Sequence, residues 1–157
     1  MSMMNPVGGA IARIKWKSVL ALIIVIAAMY FLVKSFPTGY SVKNNIGLKV
    51  SSNPEQISPG YISTINVEIK NLNRERMITV GVKAKTSDQS MFFTETYSGE
   101  YFRGGITIGP QETRKLRFDV KSKAGSLEGR YGVTVYAIED GKVEGVEDTL
   151  FIEVEEG

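Results

Sequence analysis

The sequence predicts an all-β fold, an antiparallel sandwich of seven or eight strands, preceded by one membrane-spanning α-helix. Three observations carry this. Residues 18–33 read SVLALIIVIAAMYFLV, sixteen positions without a charge. From Tyr40 onward the hydrophobic pattern switches to period two, in short runs broken by Gly, Pro, Asn and Asp. No stretch of that second region has apolar spacing suited to a helix of useful length.

The N-terminal tail, residues 1–15, contains Arg13 and Lys15 and no acid, and the first acidic residue of the chain is Glu55. Four of the 19 basic residues (Arg13, Lys15, Lys17 and Lys34) precede position 40, which leaves fifteen against 17 acids in the rest. The formal charge of +2 and the pI of about 8.8 therefore come from the tail and the helix flanks. The remainder is slightly acidic, which argues against nucleic acid as a partner.

The apolar run alone is about 24 Å long as a helix, short of the roughly 30 Å hydrocarbon core. Extended to residues 16–36 it reaches about 31 Å, with Trp16 and Phe36 placed for the interfaces and Lys17 and Lys34 for the headgroups. Pro37 ends it. A core helix would carry a polar stripe, and a cleavable signal would end in small residues. Here Met29–Val33 continue the run beyond Ala27–Ala28, so a retained anchor is expected. The basic excess before the span predicts a single-pass plasma-membrane protein with a cytoplasmic N-terminus and an extracytoplasmic β domain. No Asn-X-Ser/Thr sequon occurs, which fits that orientation less comfortably.

After a linker at 37–45, the sandwich is expected over 46–157. Its first strand runs over 46–52 and stops at Asn53-Pro54. Ser58-Pro59-Gly60 turns into a strand over 61–71, where Ile65, Val67 and Ile69 share a face. A polar connection precedes 77–85, with Ile78, Val80, Val82 and Ala84 on one side. Residues 91–97 follow, then a Gly-rich stretch around Gly104-Gly105, with Ile106 and Ile108 leading into the Gly109–Glu112 turn. Leu116, Phe118 and Val120 alternate in 113–121, and Tyr131, Val133, Val135 and Ala137 in 129–139. Asp140-Gly141 marks a hairpin into a last strand over 147–154.

The stretch 106–137 resembles the second half of CARDB-type and alpha-galactosidase-associated immunoglobulin-like modules. The matching residues are Gly109, Pro110, Glu112 and Thr113 in the turn, then Gly129, Tyr131, Val133 and Val135 in the later strand. Upstream, INVEIKNLN (65–73) is similar to their "Val-x-Val-x-Asn-x-Gly" strand end, with Arg74 and Glu75 where those modules carry a glycine turn. The resemblance covers about 110 residues of this chain. It implies an immunoglobulin-like sandwich serving adhesion, spacing or assembly in a prokaryotic, archaeal-type envelope. The order of basic tail, single helix and sandwich is also similar to archaeal archaellum stator proteins, which hold a motor to the surface layer.

Without cysteine or histidine the chain has no disulfides, no usual zinc ligands and no Ser-His or Cys-His nucleophile pair. No catalytic residue, cofactor or metal site is assigned, and no enzymatic activity is expected. The acids between Glu139 and Glu156 lack the odd-position spacing of an EF-hand loop and read as a charged hairpin and edge, with calcium as the sharper alternative. The candidate partner surface is the aromatic cluster Phe92, Phe93, Tyr97, Tyr101 and Phe102 with Arg103. Aromatic residues are enriched at interface centres, while the bland reading puts one of each adjacent pair in the core. Basic residues over 103–130 face the acidic C-terminal segment either as cross-strand pairs or as patches that steer assembly, a homo-oligomer included.

The leading expectation is a non-enzymatic, membrane-anchored binding module whose partners are the lipid bilayer and an envelope protein. The alternatives are an accessory subunit of an integral membrane enzyme or transporter, and a glycan- or calcium-binding adhesin.

Overall fold

The structure is a computed structural model that describes residues 24–25 and 39–155. The chain divides into two compact units, Met1–Thr38 and Gly39–Gly157. Within the first, Ile24 and Val25 are helical and expose 60% and 50% of their surface. The proposed interface residues Trp16, Lys17, Lys34 and Phe36 lie outside the described residues. Among the described residues no helix is long and apolar enough to cross a membrane.

The second unit is built from ten strands: β1 (Ser41–Lys43), β2 (Ile46–Asn53), β3 (Gln56–Ile57), β4 (Ile62–Asn71), β5 (Ile78–Thr86), β6 (Met91–Phe93), β7 (Glu100–Ile108), β8 (Thr113–Ser122), β9 (Gly129–Glu139) and β10 (Val146–Val154). Seven of them are eight residues or longer, and the three short ones lie at sheet edges. They form two five-stranded sheets, β1-β2-β4-β8-β6 and β3-β10-β9-β5-β7. All pairings are antiparallel except β3 with β10.

Alternation determines which residues fill the space between the sheets. Ile65, Val67 and Ile69 of β4, Val80, Val82 and Ala84 of β5, and Val133, Val135 and Ala137 of β9 are fully buried. β-Branched side chains suit this pleated interior, and their burial supplies the main driving force. The core cluster consists of residues between Ile46 and Val154.

Three differences from the sequence pattern have local causes. The domain begins within the stretch read as linker, because Ser41–Lys43 turns back at Asn44 and Asn45, both at positive φ, and pairs with β2. β6 is three residues long rather than seven, since Thr94–Tyr97 leaves the sheet in a turn closed by Tyr97 N–H donating to Phe93 O at 2.8 Å. The Gly-rich stretch belongs to a nine-residue edge strand, β7, which pairs with β5 across a bulge between Val80 and Val82. Gly105, at φ 71°, accommodates that irregularity.

Asn71, at the end of β4, is fully buried and fastens the connections at that end. Its Nδ2 donates to the carbonyls of Arg76 (2.7 Å), Gly109 (3.1 Å) and Ile108 (3.2 Å), and its Oδ1 accepts from Asn73 N–H (2.9 Å). At the start of β9 the Tyr131 hydroxyl donates to Leu127 O at 2.7 Å. That is the arrangement of a tyrosine corner.

Candidate functional site

β6 is an edge of one sheet and β7 an edge of the other, so the aromatic cluster of residues 92–102 surrounds one side of the sandwich. Alternation in β6 turns Met91 and Phe93 inward and Phe92 outward. Phe93 and Tyr101 are 0% and 6% exposed and pack with Phe118, with ring centroids 4.9–5.9 Å apart. These two residues of the candidate surface therefore belong to the core. Burial is the first cause that pushes the Tyr101 phenol up from its ordinary range, with the Glu95 charge adding to it. Arg103 acts in the opposite direction through a hydrogen bond to the same phenol.

The outward aromatics divide between opposite sides of the sandwich. Phe92 pairs with Lys121 and faces out from the β8 sheet, where Tyr97 stacks on it at 6.4 Å and 20°. Tyr97 is 84% exposed yet anchored in its turn, with φ at 51° and the neighbouring Phe93 N–H donating to Ser98 O at 2.8 Å. Phe102 pairs with Lys83 and lies on the outer face of the β5 sheet. Its ring passes so close to Gly81 and Gly104 that a Cβ at either would stand 3.3 Å from it. The sequence thus names the right aromatics, but a period of two along β6 and β7 cannot show which sheet each strand joins.

Phe92 and Tyr97 border an open groove of about 570 Å³, which also takes in Met91, Lys85, Asp88 and Lys123. Asp88 accepts from Ser90 N–H at 2.6 Å, an Asx turn. Hydrogen bonds from Ser90 hold its carboxyl below the usual range. The sequence signal for this polar rim, the Ser87–Ser90 connection, reads only as a turn. Opposite, the Thr86 hydroxyl donates to the Met91 and Asp88 carbonyls at 3.3 and 3.2 Å, tying the end of β5 to the loop.

The acids of the C-terminal region are distributed among separate partners. Glu139 meets Arg76 at 2.7 Å, Glu144 meets Lys43 at 2.9 Å, Asp148 accepts from Val50 N–H, and Glu153 accepts from Gln56. Among the described residues no group of three or more His, Cys, Asp or Glu converges to hold a metal ion.

No family model matches the chain, and no curated protein does. Solved structures do. The CARDB domain of a Pyrococcus furiosus protein, determined in complex with di-metal ions, aligns at a TM-score of 0.50 and 15% identity over 78% of this chain and 100% of that one. A FixG-related protein from Vibrio parahaemolyticus aligns at 0.53 and 11% over 72% of this chain and 99% of that one. Salmonella alpha-2-macroglobulin gives 0.58 and 13% over 73% of this chain, which spans 7% of that protein. The likeness is one of fold.

The CARDB-like β-sandwich expected from the turn and strand motifs is the fold observed. Its motif residues have structural work. Gly109 N–H donates to Glu112 Oε2 at 2.8 Å and Glu112 N–H to Gly109 O at 3.1 Å, which closes the turn before β8. Asn71 and Tyr131, also in the matching stretches, make the two fastenings described above.

Proposed function

We propose that the chain is a non-enzymatic, membrane-anchored module whose sandwich docks onto a protein partner on the outer side of the plasma membrane. The observation that carries the docking half is the stacked Phe92–Tyr97 pair beside its groove. An aromatic anchor held on a fastened edge next to a concavity is what the centre of a protein interface presents. Its rigidity limits the side-chain ordering that binding would cost. The anchoring half rests on the uncharged run at 18–33 and its Trp, Lys and Phe flanks, together with the uncovered apolar surface of helical Ile24 and Val25. Tethering a compact domain at a surface raises its effective concentration for partners there. An archaeal envelope of archaellum-stator type is the setting that the tail–helix–sandwich order supports.

Two measurements on the full chain test this reading. In alkaline carbonate extraction of native membranes the unprocessed protein is expected in the pellet; recovery as a folded aqueous species overturns the anchor. In co-purification from mild detergent, a stoichiometric partner is expected with the wild type. Phe92→Ala/Tyr97→Ala should reduce its recovery by about tenfold or more, the scale of an interface hot spot. Phe102→Ala, on the other face, should not. Equal recovery by all three proteins removes the docking assignment, and the identity of the partner separates a surface-layer assembly from an accessory subunit of a membrane enzyme.

A further inference from the structure

The two outer faces of the sandwich differ in charge. On the β4 sheet, register and alternation direct Lys49, Lys70, Lys115, Arg117 and Lys121 outward with only two acids, Glu68 and Asp119. Both acids are already engaged: Glu68 by Lys115 at 2.8 Å and the Tyr40 hydroxyl at 2.8 Å, Asp119 by the Thr64 hydroxyl at 2.7 Å. Lys49, Lys70, Arg117 and Lys121 form no ion pair with another described residue. The outer face of the β9 sheet is balanced instead. There Lys83 and Lys85 share Glu100, Arg130 lies 4.8 Å over the Phe151 ring, and Glu147 and Glu153 complete an equal count.

Apolar side chains flank the cationic face. Val42 of β1, opposite Gly47, and Ile62 of β4, opposite Lys121, point the same way and are 48% and 45% exposed. In the sequence only Pro37, Thr38, Gly39 and Tyr40 separate Phe36 from Ser41, the first residue of this sheet. That is about 17 Å of fully extended chain.

We infer that the outer face formed by β1, β2, β4 and β8 docks onto the anionic headgroups of the bilayer. Unpaired cations are drawn to a negative surface and Val42 and Ile62 supply apolar contact at its boundary. The Phe92–Tyr97 groove lies at the β6 edge, where its lining crosses to Lys85 and Glu100 of the other sheet, and that edge is left open to a partner. The setting, a sandwich tethered close to lipid, rests on the anchored reading above; the charge asymmetry does not.

The test uses the soluble unit Gly39–Gly157, whose core cluster is drawn from residues 46–154. Its formal charge is −2, so attraction to an anionic surface must come from one face rather than from the whole. Sedimentation is measured with vesicles of phosphatidylglycerol and phosphatidylcholine, and with phosphatidylcholine alone. Association with the anionic vesicles only is expected, weakening steeply as salt rises. Lys70→Gln/Arg117→Gln should weaken it by about fivefold per cation removed, and Lys83→Gln/Lys85→Gln, the same charge change on the other face, should leave it intact. Circular dichroism of both variants checks that each stays folded. Equal binding to neutral vesicles, or equal loss in the two variants, overturns the assignment. So does absence of binding at low salt, which would leave the face to an acidic protein. None of these outcomes bears on carbonate extraction, so the anchor and the face fail separately.

Discussion

Asn71 occupies a position where the motif resemblance and the physics meet. A buried amide with all its bonds made stabilises the loops it joins, and removing it strands several groups at once. Asn71→Leu conserves volume but takes the amide from the carbonyls of Arg76 and Ile108 and from the Asn73 N–H, while Gly109 O keeps the Glu112 N–H. A loss of roughly 2–4 kcal/mol is expected in urea unfolding. A loss below about 0.5 kcal/mol would mean that water replaces the amide at little cost. The sequence shows an asparagine at a strand end, which turn chemistry alone accounts for. Its three carbonyl acceptors come from Arg76, Ile108 and Gly109, two of them more than thirty positions away, and no local pattern announces them.

At the scale of the strand, Lys49, Glu68 and Lys115 occupy one cross-strand row through β2, β4 and β8. Lys115 first, and then the Tyr40 hydroxyl, hold the Glu68 carboxyl below its usual range. A carboxyl whose pKa is depressed by folding adds stability above its unfolded pKa and loses it as pH falls through the folded one. Stability of the wild type should therefore fall with acidification, beginning near the ordinary carboxylate range and continuing below it. Glu68→Gln should show a shallower fall over that window in urea midpoints taken at successive pH values. Parallel curves for the two proteins would remove Glu68 from the acid response.

Elements with clear alternation are the ones the sequence shows well. β4, β5, β8 and β9 lie within a residue or so of the expected runs, because burial on one face forces period two. β1 and β3, three and two residues long, are too short to display a period, and β7 conceals its own behind Gly104-Gly105 and a bulge.

Across the whole molecule, the pattern leads to a sandwich but not to the order of strands in its two sheets, since pairing depends on contacts far apart in sequence. The same gap explains the candidate site. Adjacent aromatics at 92–93 and 101–102 divide into core and surface as alternation requires, yet Phe92 and Phe102 leave by opposite faces only because β6 joins β8 while β7 joins β5. The cationic face has the same origin: its lysines come from three strands whose neighbours are known only once the sheet is assembled.

The three-residue β1 is also where tension on the N-terminal side would enter the sandwich. A pull at Gly39 loads only Ser41–Lys43 against β2, backed by the Tyr40–Glu68 hydrogen bond and the Lys43–Glu144 ion pair. Behind it stand the eight paired positions of β2 with β4. Stretched between that end and the C-terminus in optical tweezers, the domain should yield in two stages, a weak peeling event of a few residues before the main rupture. The short strand would then serve as a mechanical fuse, lengthening the leash under strain while the rest of the protein keeps its shape.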